Sequence, residues 1–429
     1  MKYRWILFSV LFLAVGMISS CDEEKVEPDD NNNTNKQLNE SFYNLMTDMY
    51  LWYDQLPDVN PGDYQDVFAL LDDIRYEEDR WSYVADYQSF VQYYQEGAYV
   101  GYGFGHGWDA NDNLRITFVF DESPLKGAGI RRGWMINRVN GSSVSPDQNI
   151  NELLGRDEPG VEASFVFESP DGEVIDTTFA KKELTMNTVL ADTVVNHAQK
   201  KVGYFALKSF IDKTPQELTS VFRKFSGDNI NELVVDLRYN GGGTLEGSRF
   251  LADFIISNSQ VGQPFVKMSH NDKNTPMDTT HVFQEDTVGV ELGLDRVYFI
   301  TTDATASSSE ALINGLEPYL DVYLVGRDTY GKPVGMYAYS DDRQRYVFVP
   351  VCFSLENAEG VADYYDGLPV DVEARDDKTE PFASAGEASF HQVLYHIENG
   401  SFDMTKAGYP EIPANRAEYR SLDDEIGAQ

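Results

Sequence analysis

Val297 to Met336 reads VYFITTDATASSSEALINGLEPYLDVYLVGRDTYGKPVGM, and the succession of element types within it decides the fold class. Val297 to Thr301 is a short apolar run with the composition of a buried strand. A loop then enters a helix through Ser307, Ser308 and Ser309. Val322 to Val325 is a second buried strand, and Gly331-Lys332 occupies the turn after it. A serine at the start of a helix and a lysine in a strand-end turn form a candidate nucleophile and base. By pattern alone, any of the three serines fits.

The same alternation extends upstream. Val202 to Leu207 reads as a strand, and Pro215 to Phe225 as a helix with Leu218, Val221, Phe222 and Phe225 on one face. Leu233 to Leu237 is a buried strand running into Arg238-Tyr239-Asn240-Gly241-Gly242-Gly243, with a helix from Leu245 to Ile256 behind it. Alternating β and α elements predict an α/β core with a largely parallel sheet, whose sites gather at the strand C-terminal ends. The glycine run and Ser307 both stand there. This core is assigned to residues 190–377, and residues 378–429 to a C-terminal helix (Gly386 to Glu398) and polar tail.

Residues 39–98 predict an N-terminal helical domain. Phe42, Leu45, Met46, Met49 and Tyr53 follow helical spacing behind Ser41 as N-cap, with further helices expected around Asp66 to Ile74 and Tyr83 to Gln95. Their helix-spaced aromatics are assigned to the core rather than to a ligand-stacking face. Residues 99–189 have a different composition. They open on Gly101-Tyr102-Gly103-Phe104-Gly105-His106-Gly107 and continue in strand-like runs at Leu114 to Phe120, Ala163 to Glu168 and Glu173 to Phe179. No G-x-G-x-x-G opens a helix, which excludes a dinucleotide cradle. The segment SPLKGAGIRRGWMINRVNGSSV, residues 123–144, resembles the central segment of PDZ domains. Such domains capture peptide C-termini by adding a strand to a sheet edge and binding the carboxylate on a glycine-rich loop. The resemblance implies that Tyr102, Gly103, Phe104 and Gly105 form that peptide-binding loop. The expected fold class is therefore multidomain α/β: a helical region, a PDZ-like mostly-β domain and an α/β core.

At its N-terminus the chain carries Lys2 and Arg4, an apolar run from Trp5 to Ile18, and Ile18-Ser19-Ser20-Cys21. The run is short for a membrane span of about 20 residues. It resembles a bacterial lipoprotein signal peptide (residues 1–20) with lipidation at Cys21, which anchors the protein to a membrane. Residues 21–38, polar and rich in Asn and Asp, are expected to be a flexible tether. The predicted location is the envelope of a Gram-negative bacterium, on the outer membrane and facing the periplasm or the surface. With Cys21 acylated, Cys352 has no disulfide partner, and its apolar surroundings mark it as a buried structural thiol. A formal net charge of −37 repels nucleic acid and excludes it as a partner.

A serine hydroxyl needs a base to become a nucleophile, and donors for the oxyanion it generates. None of the six histidines lies in a strand-end motif. No H-E-x-x-H, Cys/His cluster or G-x-S-x-G is present, so neither a catalytic zinc nor a nucleophile elbow is expected. No metal or cofactor is called for. Lys332 is the better base. Free lysine has a pKa of about 10.4, so work near neutrality requires lowering it at a cost of about 4 kcal/mol. Burial does this by disfavouring the ammonium form, and Tyr330, Pro333, Val334 and Met336 supply apolar neighbours.

Three motifs, Arg238-x-Asn-Gly-Gly-Gly, Thr305-Ala-Ser-Ser-Ser-Glu and Thr329-Tyr-Gly-Lys, together resemble the C-terminal processing (tail-specific) peptidases, Ser/Lys hydrolases with an inserted PDZ domain. The resemblance spans roughly residues 40–400. It implies Ser307 as nucleophile and Lys332, 25 positions on, as base, with Glu310 of the Ser-x-Ser-Glu pattern in support. It also implies an oxyanion hole of backbone N–H groups from Gly242, with Gly243 as the neighbouring alternative, and Ser308. Many relatives have Gly-Lys-Gly and a Gln four residues after the Lys, where this chain has Pro333 and Met336. The implied function is a membrane-anchored serine endopeptidase acting on extracytoplasmic proteins or peptides and recognising their C-termini. Its competitors are a non-catalytic peptide-binding surface lipoprotein on the same fold, and a serine hydrolase of another amide or ester.

Overall fold

The structure is a computed structural model; it describes residues 31–285, 289–290 and 292–408. Cys21, the expected signal peptide and most of the expected tether lie outside the described residues.

The centre is a six-stranded sheet. Its order is Val189–His197, Lys200–Leu207, Glu232–Asp236, Arg296–Thr301, Asp321–Gly326, Val372–Glu373. The first pair is antiparallel and the remaining pairings are parallel. A parallel sheet must be covered on both faces, and this one is. On one side Phe205, Leu233, Val235 and Phe299 join the apolar cluster that includes helices Thr214–Asp228, Leu245–Ile255 and Ser308–Leu316. On the other, Tyr204, Val234, Tyr298 and Ile300 meet Phe390, Val393 and Leu394 of helix Ala388–Asn399. The four strands expected at Val202 to Leu207, Leu233 to Leu237, Val297 to Thr301 and Val322 to Val325 are the sheet's four central members; the flanking strands Val189–His197 and Val372–Glu373 were not foreseen.

The N-terminal region departs from expectation in three ways. Its first helix spans Asn31–Met49, so it begins inside the presumptive tether, and Ser41 sits mid-helix rather than at its cap. Tyr83–Asp86 is a strand, paired antiparallel with Tyr346–Val349; only Tyr87–Val91 and the following turn are helical. Local pattern favoured a helix there, but Tyr83, Val84 and Ala85 are all buried, and the partner strand supplies their hydrogen bonds. Finally, Phe42, Met46, Tyr50, Leu70 and Ile74 share one continuous core with Phe205, Val235 and Phe348. The region is thus built onto the α/β core.

The glycine-rich region forms its own sheet, in order Phe104–Trp108, Leu114–Val119, Met135–Val139, Glu162–Glu168, Val174–Ala180. It has a separate apolar core that includes Ile116, Ile136, Phe165 and Phe167. Phe104–Trp108 is an edge strand of this sheet among the described residues.

Cys352 is fully buried, and its Sγ contacts the Pro350 carbonyl at 3.3 Å. Burial pushes its thiol up to about 12, so it is inert. Pro350 divides the apolar run into strands Tyr346–Val349 and Val351–Glu356.

Candidate active site

The loops leaving the parallel strands are stitched together. Thr302 Oγ1 donates to the Arg238 carbonyl at 2.6 Å and Thr305 Oγ1 to the Leu237 carbonyl at 2.9 Å. The Ala306 N–H and the Ser309 hydroxyl both reach the Asn240 carbonyl. The Tyr330 N–H donates to the Thr305 carbonyl at 2.9 Å. These bonds bring the ends of three strands, and with them all three sequence motifs, to one place.

The three serines have different environments. Ser308 and Ser309 are buried, and their hydroxyls donate to the carbonyls of Gly243 (2.8 Å) and Asn240 (3.1 Å). Ser307 is half-buried and has φ 58° and ψ −118°, a conformation that costs a non-glycine residue about 1–3 kcal/mol. It stands at the N-cap of helix Ser308–Leu316, where the helix dipole favours negative charge.

Glu310 holds this geometry. Its side chain is wholly buried and accepts four hydrogen bonds: Ser307 N–H (2.8 Å) and Lys332 N–H (2.9 Å) at Oε2, Gly331 N–H (2.6 Å) and Thr329 hydroxyl (2.5 Å) at Oε1. Since Ser307 and Lys332 donate to the same oxygen, their backbone nitrogens are no farther apart than two hydrogen-bond lengths. Burial raises the Glu310 carboxyl above its ordinary pKa, against the pull of the four donors. Glu310, assigned only a supporting role from sequence, is the piece that joins the Ser307 and Lys332 backbones.

The Lys332 turn is clamped from its far side. Gly331 has φ 89°, and a Cβ there would lie 2.2 Å from the Tyr365 carbonyl oxygen. The Leu368 N–H donates to Thr329 Oγ1 at 2.7 Å. Lys332 is half-buried, and its Nζ lies 3.8 Å from Met336 Sδ, so a thioether, a weak acceptor, stands four residues after the lysine. Arg80, unassigned from sequence, lies over the rings of Trp81 and Tyr330 and donates to the Tyr365 carbonyl at 2.7 Å. Several histidines are engaged elsewhere: His270 with Asp278 and Tyr337, His396 with Tyr298, His391 with Asp403.

The glycine loop lies against Ser307. A Cβ on Gly242 would fall 2.9 Å from Ser307 Cβ and 3.1 Å from the Ser308 nitrogen. Gly242 donates its N–H to Asn240 Oδ1 at 2.8 Å. Behind the loop, Arg238 is fully buried and paired with Asp236 (2.8 Å), Asp376 (2.8 Å) and Glu387 (2.9 Å). Arg132 of the glycine-rich domain joins the same network through Asp376 (2.7 Å) and the Tyr239 hydroxyl (2.6 Å). Burial pushes the Asp376 carboxyl up, but Lys378, Arg132 and Arg238 together hold it well below the usual range. The network was not foreseen; its only sequence signal was an arginine beside each of two glycine motifs.

The residues expected to bind peptide are divided. Tyr102 is a core residue: its ring meets Phe165, and its hydroxyl points at the carbonyls of Leu154 and Val161. Gly103 has φ 80° in the turn before the edge strand, and Phe104 and Gly105 begin that strand, paired to Val119 and Phe118. Among the described residues no cluster of three His, Cys, Asp or Glu could hold a metal.

Residues 201–351 match the model of peptidase family S41, and residues 37–83 match the S41 N-terminal domain. The chain is 24% identical over 241 residues to CtpA-like serine proteases of Staphylococcus aureus, covering 56% of this chain and 45% of theirs. It therefore spans less than half the length of these curated relatives. Among solved structures, an S41 protease fold from Bacteroides fragilis aligns with TM-score 0.71 and 23% identity, over 89% of this chain and 100% of that one. The photosystem II D1 C-terminal processing protease aligns with TM-score 0.50 and 18% identity, over 80% and 93%. These matches, to the peptidase and N-terminal domains of family S41, agree with the resemblance drawn from the three motifs.

Proposed function

We propose that the protein is a serine endopeptidase in which Ser307 is the nucleophile and Lys332 the base. Neutral Lys332 Nζ takes the Ser307 hydroxyl proton as Oγ attacks the scissile carbonyl. The tetrahedral oxyanion is held by backbone N–H groups of Ser308 and of the Gly242-Gly243 loop. Lys332 then gives its proton to the departing amine, and water, deprotonated in turn by Lys332, releases the acyl group from Ser307. The observation that carries this is the convergence of the Ser307 and Lys332 N–H groups on one Glu310 oxygen. The strained Ser307 backbone and the occupied hydroxyls of Ser308 and Ser309 favour Ser307 among the three serines.

Substrate recognition is assigned to the glycine-rich domain. The Phe104–Trp108 strand, at the edge of its sheet among the described residues, is where a peptide adds as a further strand, with Gly103 and Gly105 near the turn that takes its C-terminal carboxylate. Lipidation of Cys21 would hold the enzyme at an envelope membrane, acting on extracytoplasmic proteins or peptides. The test is cleavage of an unstructured protein by wild type, Ser307→Ala and Lys332→Ala, using substrates with apolar or charged C-termini. Loss of cleavage in both variants and preference among termini are expected. Unchanged cleavage by Ser307→Ala would overturn the mechanism, and indifference to the terminus would overturn the recognition role.

A further inference from the structure

Asn240 is the one residue of the Arg238-x-Asn-Gly-Gly-Gly motif whose side chain is both wholly buried and half satisfied. Its Oδ1 accepts the Gly242 N–H at 2.8 Å, which fixes the orientation of the amide, while its Nδ2 is buried without a hydrogen-bond partner among the described residues. Its own carbonyl holds Ala306 and Ser309, the residues flanking Ser307 and Ser308. The Gly242 N–H is therefore already committed inside the loop.

The next peptide faces the other way. The Gly242 carbonyl accepts the Phe210 N–H at 2.9 Å and the Ser209 hydroxyl at 3.3 Å. No described peptide bond is cis, and in a trans peptide the carbonyl and the following N–H point in opposite directions. The Gly243 N–H is thus turned away from Phe210. Gly243 adopts φ 136°, and a Cβ there would lie 2.1 Å from the Phe210 carbonyl oxygen, so only glycine allows this arrangement.

We propose that Asn240 is a positioning residue of the oxyanion hole: by holding the Gly242 N–H, it assigns the loop's donor role to the Gly243 N–H, acting beside the Ser308 N–H. The role suits a neutral amide. Aspartate would offer the same acceptor without an orphaned donor, but would set a negative charge beside the place where the oxyanion develops. Alanine would release the Gly242 N–H and let the loop present either donor. The orphaned Nδ2 is what remains when a strong acceptor of this size must be uncharged.

This rests on the Ser307 mechanism, and the experiment separates the two. With Ser307→Ala as the control for the mechanism, Asn240→Asp is expected to lower kcat by about 10²-fold or more with KM little changed, the signature of an oxyanion destabilised by a charge beside it. Because a buried aspartate can also disturb folding, the second measurement uses the wild-type full-length protein labelled with ¹⁵N-glycine. Adding a peptidyl trifluoromethyl ketone, whose hemiketal mimics the oxyanion, is expected to move the Gly243 amide proton downfield and to leave Gly242 nearly in place. Movement of Gly242 instead, or wild-type kcat in a folded Asn240→Asp protein, overturns the proposal while the Ser307 mechanism stands. Full activity in Ser307→Ala overturns both.

Discussion

Replacing Glu310 by glutamine tests whether one carboxylate aligns nucleophile and base. Glutamine has one acceptor oxygen and one NH₂ group, whereas Glu310 accepts four bonds, two at each oxygen. If the NH₂ replaces Oε2, it confronts the N–H groups of Ser307 and Lys332. If it replaces Oε1, the Thr329 hydroxyl, which already accepts the Leu368 N–H, can rotate and accept through its second lone pair, and the Gly331 N–H and the Thr329 hydroxyl proton lose their acceptor. The second orientation is the less costly. A buried donor without a partner costs about 1–3 kcal/mol, and the remaining bonds weaken because charge-assisted bonds are roughly twice as strong as neutral ones. Removing the burial penalty that raises the Glu310 pKa offsets part of this. The net expectation is a loss of about 1–3 kcal/mol in stability. The unpaired group is adjacent to Lys332, so the turn carrying the base shifts, and a misplacement near 1 Å costs about 10²-fold in rate. Steady-state kinetics on an unstructured substrate, run beside thermal unfolding, should show kcat falling about 10²-fold in a protein that is still folded. Wild-type kcat in folded Glu310→Gln would refute the aligning role.

Gly331→Ala should be more damaging than its one methyl suggests, because Cβ would lie 2.2 Å from the Tyr365 carbonyl oxygen at a φ of 89°. The same kinetic assay should show a loss of at least about 10²-fold from displacement of the Lys332 turn. Asp376→Asn removes the negative charge shared by Arg132, Arg238 and Lys378 and one of its two acceptor oxygens, and denaturant titration should show about 3–5 kcal/mol lost. The Asp376 carboxyl is depressed in the folded state, so its contribution is complete above the ordinary carboxylate pKa of about 3.9 and is lost as pH falls below it. Acid titration of stability should accordingly be shallower in the variant below that pH. Arg132→Ala removes the bonds from the glycine-rich domain to Tyr239 and Asp376. Limited proteolysis should then cut between that domain and the core faster than in wild type, and an unchanged rate would show that other contacts suffice.

The legible parts of the sequence were those whose signal is local. The strands at Leu233 to Leu237 and Val297 to Thr301 are buried on both faces, so each reads as a continuous apolar run ending in its motif. The helix behind Ser307 announces itself by the Ser-to-apolar transition and by Glu310 at its third position. What was not legible depended on distant partners. Tyr83–Asp86 becomes a strand because Tyr346–Val349 pairs with it, far along the chain. Leu38 is buried in the main core, which a polar, Asn-rich flank does not suggest. Arg132, Tyr239 and Asp376 carry no common spacing, and only folding shows them to be one network. In the glycine loop, composition pointed to close approach but not to which N–H is already taken.

Peptide mapping after reaction with a serine-directed fluorophosphonate tests the central assignment most directly. Ser307 is expected to carry the label, with none on Ser308 or Ser309, whose hydroxyls are buried and bonded to the Gly243 and Asn240 carbonyls. The label should also be lost in Lys332→Ala. Modification of Ser308 or Ser309 in place of Ser307, or undiminished labelling without Lys332, would contradict it.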